Sequence, residues 1–256
     1  MNLIKKNIIS RNILLVSAYL SACIASAEVL PARYIRDEAV VTRVEKAAFD
    51  QLFDHPAWRK TPAYDLLINA QSANDIRVLP RERASVRYLY DKSYLYIKAD
   101  LADSDVVNHA AKSGGHLYAG GDLLEIFIKV PGQPYYWEIY GTPHRLHTVF
   151  YYSQQGNPPA SLDLSTGATP IRVAARVNGS LNDPSDVDKG YSILLAVPRS
   201  ELEKNGVEFT SGSQWIILAS RYNYSRYLPW CEKSAYPQCN MNFHDDNFYA
   251  RIRFEQ

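Results

Sequence analysis

The 256-residue chain is nearly neutral, with 28 Lys and Arg against 27 Asp and Glu and a formal net charge of +1. That balance gives no support to nucleic acid or an anionic membrane as the main partner, since both favour a basic excess, and no dense Lys/Arg run supplies a local patch. The aromatic content stands out instead, at 19 Tyr, 8 Phe and 4 Trp, residues that suit half-buried strands and also surfaces that touch ligands.

The first segment reads as a targeting signal. Lys5, Lys6 and Arg11 form a basic start, and "ILLVSAYLSACIASA" (Ile13 to Ala27) follows as an uncharged run too short to span a bilayer comfortably. "ASA" before Glu28 is a small-x-small cleavage site. An overlapping reading is a lipobox, "LSAC", in which Cys23 is lipidated; this would be the chain's one attachment to a membrane. Both readings export the protein, as a periplasmic or extracellular protein or as an outer-membrane lipoprotein. Cleavage at Ala27 leaves Cys231 and Cys239, and an even pair in an exported protein predicts a disulfide.

Residues 28–44 read as a lead-in. "KAAFDQLFDHPAW" (Lys46 to Trp58) holds one short helix or turn that Pro56 ends, with Trp58 expected in the core. Strands and turns follow. "SVRYLYDKSYLYIKADL" (Ser85 to Leu101) reads as a hairpin turning at Asp91-Lys92-Ser93. "LLEIFIKV" and "YYWEIYG" form the next pair around a Pro-Gly loop, and "IRVAARV", "YSILLAVP", "WIILASRYNYS" and "FYARIRF" are further strands, with Trp215 in the core. Many short strands without helical crossovers predict an all-β fold: one antiparallel β-sandwich of the jelly-roll or immunoglobulin-like kind over residues 45–256.

The pair "LLEIFIKV"/"YYWEIYG" carries a chemical question. With Ile128 opposite Tyr135, Leu124, Ile126, Ile128, Tyr135, Trp137 and Ile139 share one wholly apolar face. The other face then carries Glu125, Phe127, Tyr136, Glu138 and Tyr140, with the two glutamates directly opposed. Opposed like charges destabilise a sheet, so an arginine, a cation such as calcium, or a hydroxyl-rich ligand would offset them. A solvated face with ordinary Lys or Arg partners is the plainer alternative. Asp100, Asp103, Asp105 and Asp122 fit turns that bond their own backbone better than a calcium loop, whose ligand spacing they lack. His144 and His147 form only a weak metal pattern.

The C-terminal run "GSQWIILASRYNYSRYLPWCEKSAYPQCNMNFHDDNFYARIRF" brings together a Gly-x-x-Trp strand, an Arg-x-Asn loop and a closing Phe-x-x-Ile-x-Phe strand. With "HPAWRKTPAYDLL", "YLYIKADLADSDV", "GGDLLEIFI" and "YYWEI" upstream, it resembles the family 9-like carbohydrate-binding domains, within a wider group of secreted sandwich domains that bind sugars or haem. The resemblance spans roughly Glu45 to Phe254. It implies a non-catalytic saccharide- or polysaccharide-binding module that supports polysaccharide breakdown or uptake, with structural calcium in some members and no other cofactor. It carries binding roles to Glu125, Arg221 and Asn223, with Trp230 as the stacking aromatic; Tyr136, Glu138 and Tyr140 join them from the strand pattern. Two alternatives stand beside it. One is a glycoside hydrolase using Glu125 and Glu138. The other is a haem module ligated through Met241 and His244.

Overall fold

The computed structural model describes residues 37–68, 79–228, 230–240 and 242–255. The proposed signal, Cys23 and Met241 lie outside the described residues. In chain order the strands are β1 (Glu38–Arg43), β2 (Tyr64–Asp65), β3 (Leu67–Ile68), β4 (Ala84–Tyr90), β5 (Tyr94–Leu101), β6 (Leu123–Lys129) and β7 (Tyr136–Gly141). They continue as β8 (His147–Tyr152), β9 (Ala160–Ser161), β10 (Arg172–Asn178), β11 (Gly190–Pro198), β12 (Ile216–Asn223), β13 (Glu232–Tyr236) and β14 (Ala250–Glu255). One α-helical turn, α1, covers Arg199–Leu202.

These strands form one sheet in the order β10-β11-β5-β4-β1-β14-β12-β6-β7-β8-β9, with β13 added beside β12. The sheet curls over so that its two halves face each other as a sandwich. Inner faces follow strict alternation: Leu124, Ile126 and Ile128 of β6 and Trp137 and Ile139 of β7 meet Ile193, Leu195 and Val197 of β11 and Leu95, Ile97 and Ala99 of β5. The layers pack tightly at Gly141, where an added Cβ would lie 2.7 Å from Leu195 Cδ2. Trp137 and Trp215 pack 6.1 Å apart in this core, and Trp137 Nε1 donates to Glu201 Oε1 at 2.8 Å.

The β4–β5 hairpin turns where the sequence indicates, because the Asp91 carboxylate accepts from the backbone N–H of Ser93 and Tyr94. The segment around Pro56 forms two 3₁₀ turns, Phe49–Asp54 and Pro56–Arg59; Pro56 opens the second one, where its missing N–H is harmless. These turns cover the outer face of β4, β5 and β11 with Leu52, Phe53 and Trp58. Trp58 Nε1 donates to Leu52 O at 2.6 Å. Trp58→Phe is expected to lower stability by about 1–2 kcal/mol through that bond and the lost volume, read as a lower thermal midpoint without loss of the sheet's circular dichroism.

Three expectations need correction. Residues 28–44 are not merely a lead-in: Glu38–Arg43 form β1, inserted between β4 and β14 and parallel to both, so the sheet is mixed rather than purely antiparallel. Glu232–Tyr236, within a segment that reads as loop, forms β13 against β12 and β3. The β6–β7 register is offset by two residues from the expected one: Ile128 pairs with Trp137, Glu125 with Tyr140 and Phe127 with Glu138. The connection is longer than a tight Pro-Gly turn, and a shift of two preserves which face each side chain takes.

Candidate functional site

Glu125 and Glu138 do share the second face, diagonally rather than directly opposed. That face is closed. Phe127, Tyr136, Tyr140, Phe150, Tyr152 and Leu218 pack on it beneath Leu117, Phe243 and Tyr249. Glu125 and Glu138 are 2% and 3% exposed. Tyr140 Oη donates to Glu138 Oε1, Tyr152 Oη donates to Glu138 Oε2 at 2.6 Å, and Ser220 Oγ donates to Glu125 Oε2 at 2.7 Å. Burial and the neighbouring Glu138 hold the Glu125 carboxyl well above the usual carboxylate range. The like charges expected here are thus met by burial that favours the neutral form of Glu125 and by three hydroxyl donors, with no arginine on the pair among the described residues. Two carboxyls 2% and 3% exposed and roofed over by Leu117, Phe243 and Tyr249 leave no room for a glycosidic bond between them.

Arg221 and Asn223 lie on the opposite face of the sheet. β12 pairs Ser220 with Glu125 and Arg221 with Leu124, so Arg221 and Asn223 point with Leu124 toward the inside of the sandwich. Arg221, 1% exposed, pairs with Asp103 (Nη2 to Oδ2, 2.9 Å) and donates from Nη1 to Glu82 O at 3.0 Å. Asn223 Nδ2 donates to Glu82 Oε2 at 2.6 Å. The expected cluster of Glu125, Tyr136, Glu138, Tyr140, Arg221, Asn223 and Trp230 therefore does not assemble as one site. Its residues were grouped by motif, whereas the parity of β12 puts a sheet between Glu125 and Arg221.

The aspartates near Arg221 pin loops. Asp122 accepts from the backbone N–H of Val107 and Tyr224, each at 2.7 Å, Asp105 from that of Arg226 at 2.7 Å, and Asp188 from those of Val106 and Ser180. Asp100 lies apart and takes Arg87 and Ser192. Gly121 allows this convergence: at φ 136° an added Cβ would come within 2.3 Å of Val107 O. Among the described residues, no group of three His, Cys, Asp or Glu is placed to hold a metal ion. That includes His144 and His147. Burial holds His147 below its usual value. His244 shares a 2.9 Å hydrogen bond through Nδ1 with Tyr136 Oη and stacks edge-on against Phe127.

The pinned loop between β12 and β13 presents the aromatic surface. Among the described residues the exposed large apolar side chains are Leu79, Val187, Tyr224, Tyr227 and Trp230, and the last three fall within seven residues. Trp230 is 74% exposed. Arg226 braces the loop: its guanidinium pairs with Asp105, donates to Asp186 O at 2.5 Å and to Tyr227 Oη at 2.8 Å, and lies 4.7 Å from the Tyr227 ring centre. Beside it, Tyr118 stacks on Tyr222 at 5.4 Å and Lys233 covers the Tyr222 ring at 4.8 Å. Burial, with Cys231 next in weight, pushes the Tyr224 phenol up to about 12. No disulfide joins Cys231 to Cys239. The five extended residues of β13 separate them, Cys231 lies beside Tyr224, and Cys239 is buried with Phe243 and Tyr249. Trp230 therefore stands beside a free thiol rather than a bridge.

Tyr118, Tyr224, Arg226 and Tyr227 belong to this surface although the sequence motifs do not point to them. The three aromatics between Asn223 and Cys231 were a readable signal, since turn residues rather than rings are usual in a connection between strands.

No protein-family model and no curated protein sequence matches the chain. Solved structures do. A protein from Bacteroides uniformis provisionally classed as carbohydrate-binding aligns with a TM-score of 0.63 at 12% identity, covering 86% of this chain and 99% of that one. A family 9 carbohydrate-binding module from Caldicellulosiruptor kristjanssonii, in complex with cellotriose, aligns with a TM-score of 0.52 at 10% identity over 85% of this chain and 93% of that one. A glucose complex of a family 9 module from the same organism gives 0.50 at 10% identity, over 85% and 95% of the two chains. The fold is that of the family 9-like carbohydrate-binding modules. At these identities the likeness concerns the backbone, and the family 9-like sandwich is here built around a buried carboxyl pair and a separate exposed aromatic loop.

Proposed function

We propose that this is an exported, non-catalytic saccharide-binding protein that supports polysaccharide breakdown or uptake, with the loop from Tyr224 to Trp230 as its contact surface. One observation carries the reading: three exposed aromatic rings, Tyr224, Tyr227 and Trp230, fall within seven residues, on a connection whose first part is pinned at Tyr224 by Asp122 and at Arg226 by Asp105. Rings stack on the apolar face of a pyranose, and a pinned loop presents them with little ordering cost. Arg226 and Lys233 supply hydrogen-bond donors beside the rings. The fold shared with modules solved with cellotriose and glucose supports the same reading. In this arrangement Glu125 and Glu138 organise the sheet beneath the loop rather than touch the sugar.

The test is calorimetric titration of the purified protein with neutral gluco-oligosaccharides, preceded by a glycan array. Trp230→Ala and Tyr224→Ala are each expected to weaken binding about tenfold or more. Trp230→Ala should leave stability within about 0.5 kcal/mol, because its side chain is exposed. Glu125→Gln should leave affinity unchanged. A correctly folded protein that binds no saccharide, or a Trp230→Ala variant that binds like the wild type, would overturn the reading.

A further inference from the structure

The β10 side of the sandwich carries a groove that the aromatic loop does not use. His144 and Arg145, in the turn between β7 and β8, face Ala175, Arg176 and Val177 of β10 across a cavity of about 680 Å³. Arg176 and Val177 also line a neighbouring cavity of about 390 Å³, to which Arg83 and Lys189 contribute. Both volumes suit small-ligand sites, which run from about 300 to 1,000 Å³.

The charge in this groove is unbalanced. Arg83, Arg145 and Lys189 are exposed. Among the described residues their side chains make no ion pair or hydrogen bond, whereas Arg87, Arg199, Arg221, Arg226, Arg251 and Arg253 each hold a carboxylate. The one carboxylate lining either cavity, Asp100, is already taken by Arg87 at 2.9 Å and Ser192 at 2.8 Å. Arg176 is held by Asp54, a pair exposed enough to be weak. In a chain whose net charge is +1, these unpaired cations are a local concentration rather than part of a basic surface. Arg145 sits at φ 63°, a left-handed backbone that a non-glycine residue adopts at a cost. Among the described residues β10 pairs with β11 and no other strand, so its other edge offers backbone donors and acceptors. Ala175 and Val177 give the groove an apolar strip between the charges.

We propose that this groove is a second saccharide subsite, specific for a sugar chain that carries carboxylates. The inference rests on the saccharide reading above. Charge complementarity selects the occupant: guanidinium forks match uronate carboxylates, the strip matches the C–H face of the ring, and the open strand edge matches its hydroxyls.

The experiment compares a short oligogalacturonate with its carboxyl-reduced, uncharged counterpart by calorimetry on the purified protein, in low and high salt. The acidic form should bind about tenfold tighter in low salt, with the advantage shrinking as salt screens it. Arg145→Gln and Lys189→Gln, both at exposed positions, should each remove much of that advantage and leave binding of neutral gluco-oligosaccharides intact. Equal affinity for the charged and reduced forms, or an Arg145→Gln/Lys189→Gln double variant that keeps the preference, would overturn the subsite while leaving neutral-sugar binding and its sensitivity to Trp230→Ala untouched. Absence of all saccharide binding would overturn both. A glutamate-rich peptide that binds as tightly as the oligogalacturonate would reassign the groove to protein and overturn the proposal.

Discussion

Arg221→Met is expected to destabilise the protein by about 3–5 kcal/mol, the usual cost of removing one partner from a buried ion pair. The guanidinium is 1% exposed, and Asp103 is 2% exposed. Burial and the neighbouring Asp103 already push Asp122 well above the usual carboxylate range, and Asp103 is itself raised by burial despite Arg221. Without Arg221 no cation pairs with Asp103 among the described residues, which leaves it the Asp105 N–H as a donor, and Glu82 O loses its own. The measurement is urea unfolding of Arg221→Met, Asp103→Asn and the double variant. Asp103→Asn alone should cost about 1–3 kcal/mol, because it keeps an acceptor for the Asp105 N–H. The double variant should be less destabilised than the sum by more than about 1 kcal/mol, the mark of a coupled pair. A single Arg221→Met variant within 1 kcal/mol of wild type would show that the pair holds nothing together.

Stability should fall as pH rises above about 6.5, where the histidines no longer titrate. Glu125 and Asp122 keep their protons in the folded protein at pH values where the unfolded chain, with ordinary carboxylates near 4, has lost them. The folded state therefore binds more protons, so unfolding free energy decreases with pH. This contribution is complete below about pH 4 and is lost as pH climbs toward the raised values. Each such group gives a slope of at most about 1.4 kcal/mol per pH unit. His147 and His244, held below their usual value by burial, act in the opposite sense, but only below about pH 6.5; hence the chosen window. Glu38, lowered by its arginine partners against the effect of burial, acts only below about pH 4. Urea midpoints across the window test this, and Glu125→Gln, which mimics the protonated acid, should flatten the slope by the share of one group. A midpoint that holds constant or rises would refute it.

Most strands were legible because alternation in β6, β7, β11 and β12 is strict: apolar residues meet the core and the intervening set faces outward. Parity survived even where register did not, so Glu125 and Glu138 fell on one face although their pairing was two residues out. What the chain could not reveal was what lay over that face. Phe243, His244 and Tyr249 come from a segment far from β6 and β7, and they complete the cover over the glutamates. The split between Glu125 and Arg221 depends on the β12–β6 register, a contact between residues almost a hundred positions apart. β1 was hidden because its apolar residues, Ala39 to Val41, form a run of three with no alternation to read, and β13 because it is short and largely polar; both gain their pattern from neighbours in the finished sheet. Trp230 was readable, because a tryptophan in a turn-rich loop has few ways to be buried.

The parallel pairing of β1 with β14, Glu38 beside Arg251 through Thr42 beside Glu255, joins the two halves of the curled sheet at its centre. These strands stand at opposite ends of the described chain, so the seam is sewn last. During synthesis, β1, β4, β5, β10 and β11 on one side and β6, β7, β8 and β12 on the other can each pair among themselves, but the β1–β14 join between them must wait for residue 255. Closing so long a loop is slow, and until it closes the edges of β1 and β14 are open templates for strands of other chains. The protein therefore has a built-in interval of vulnerability after translation, one that delivery unfolded across a membrane would move to the far side.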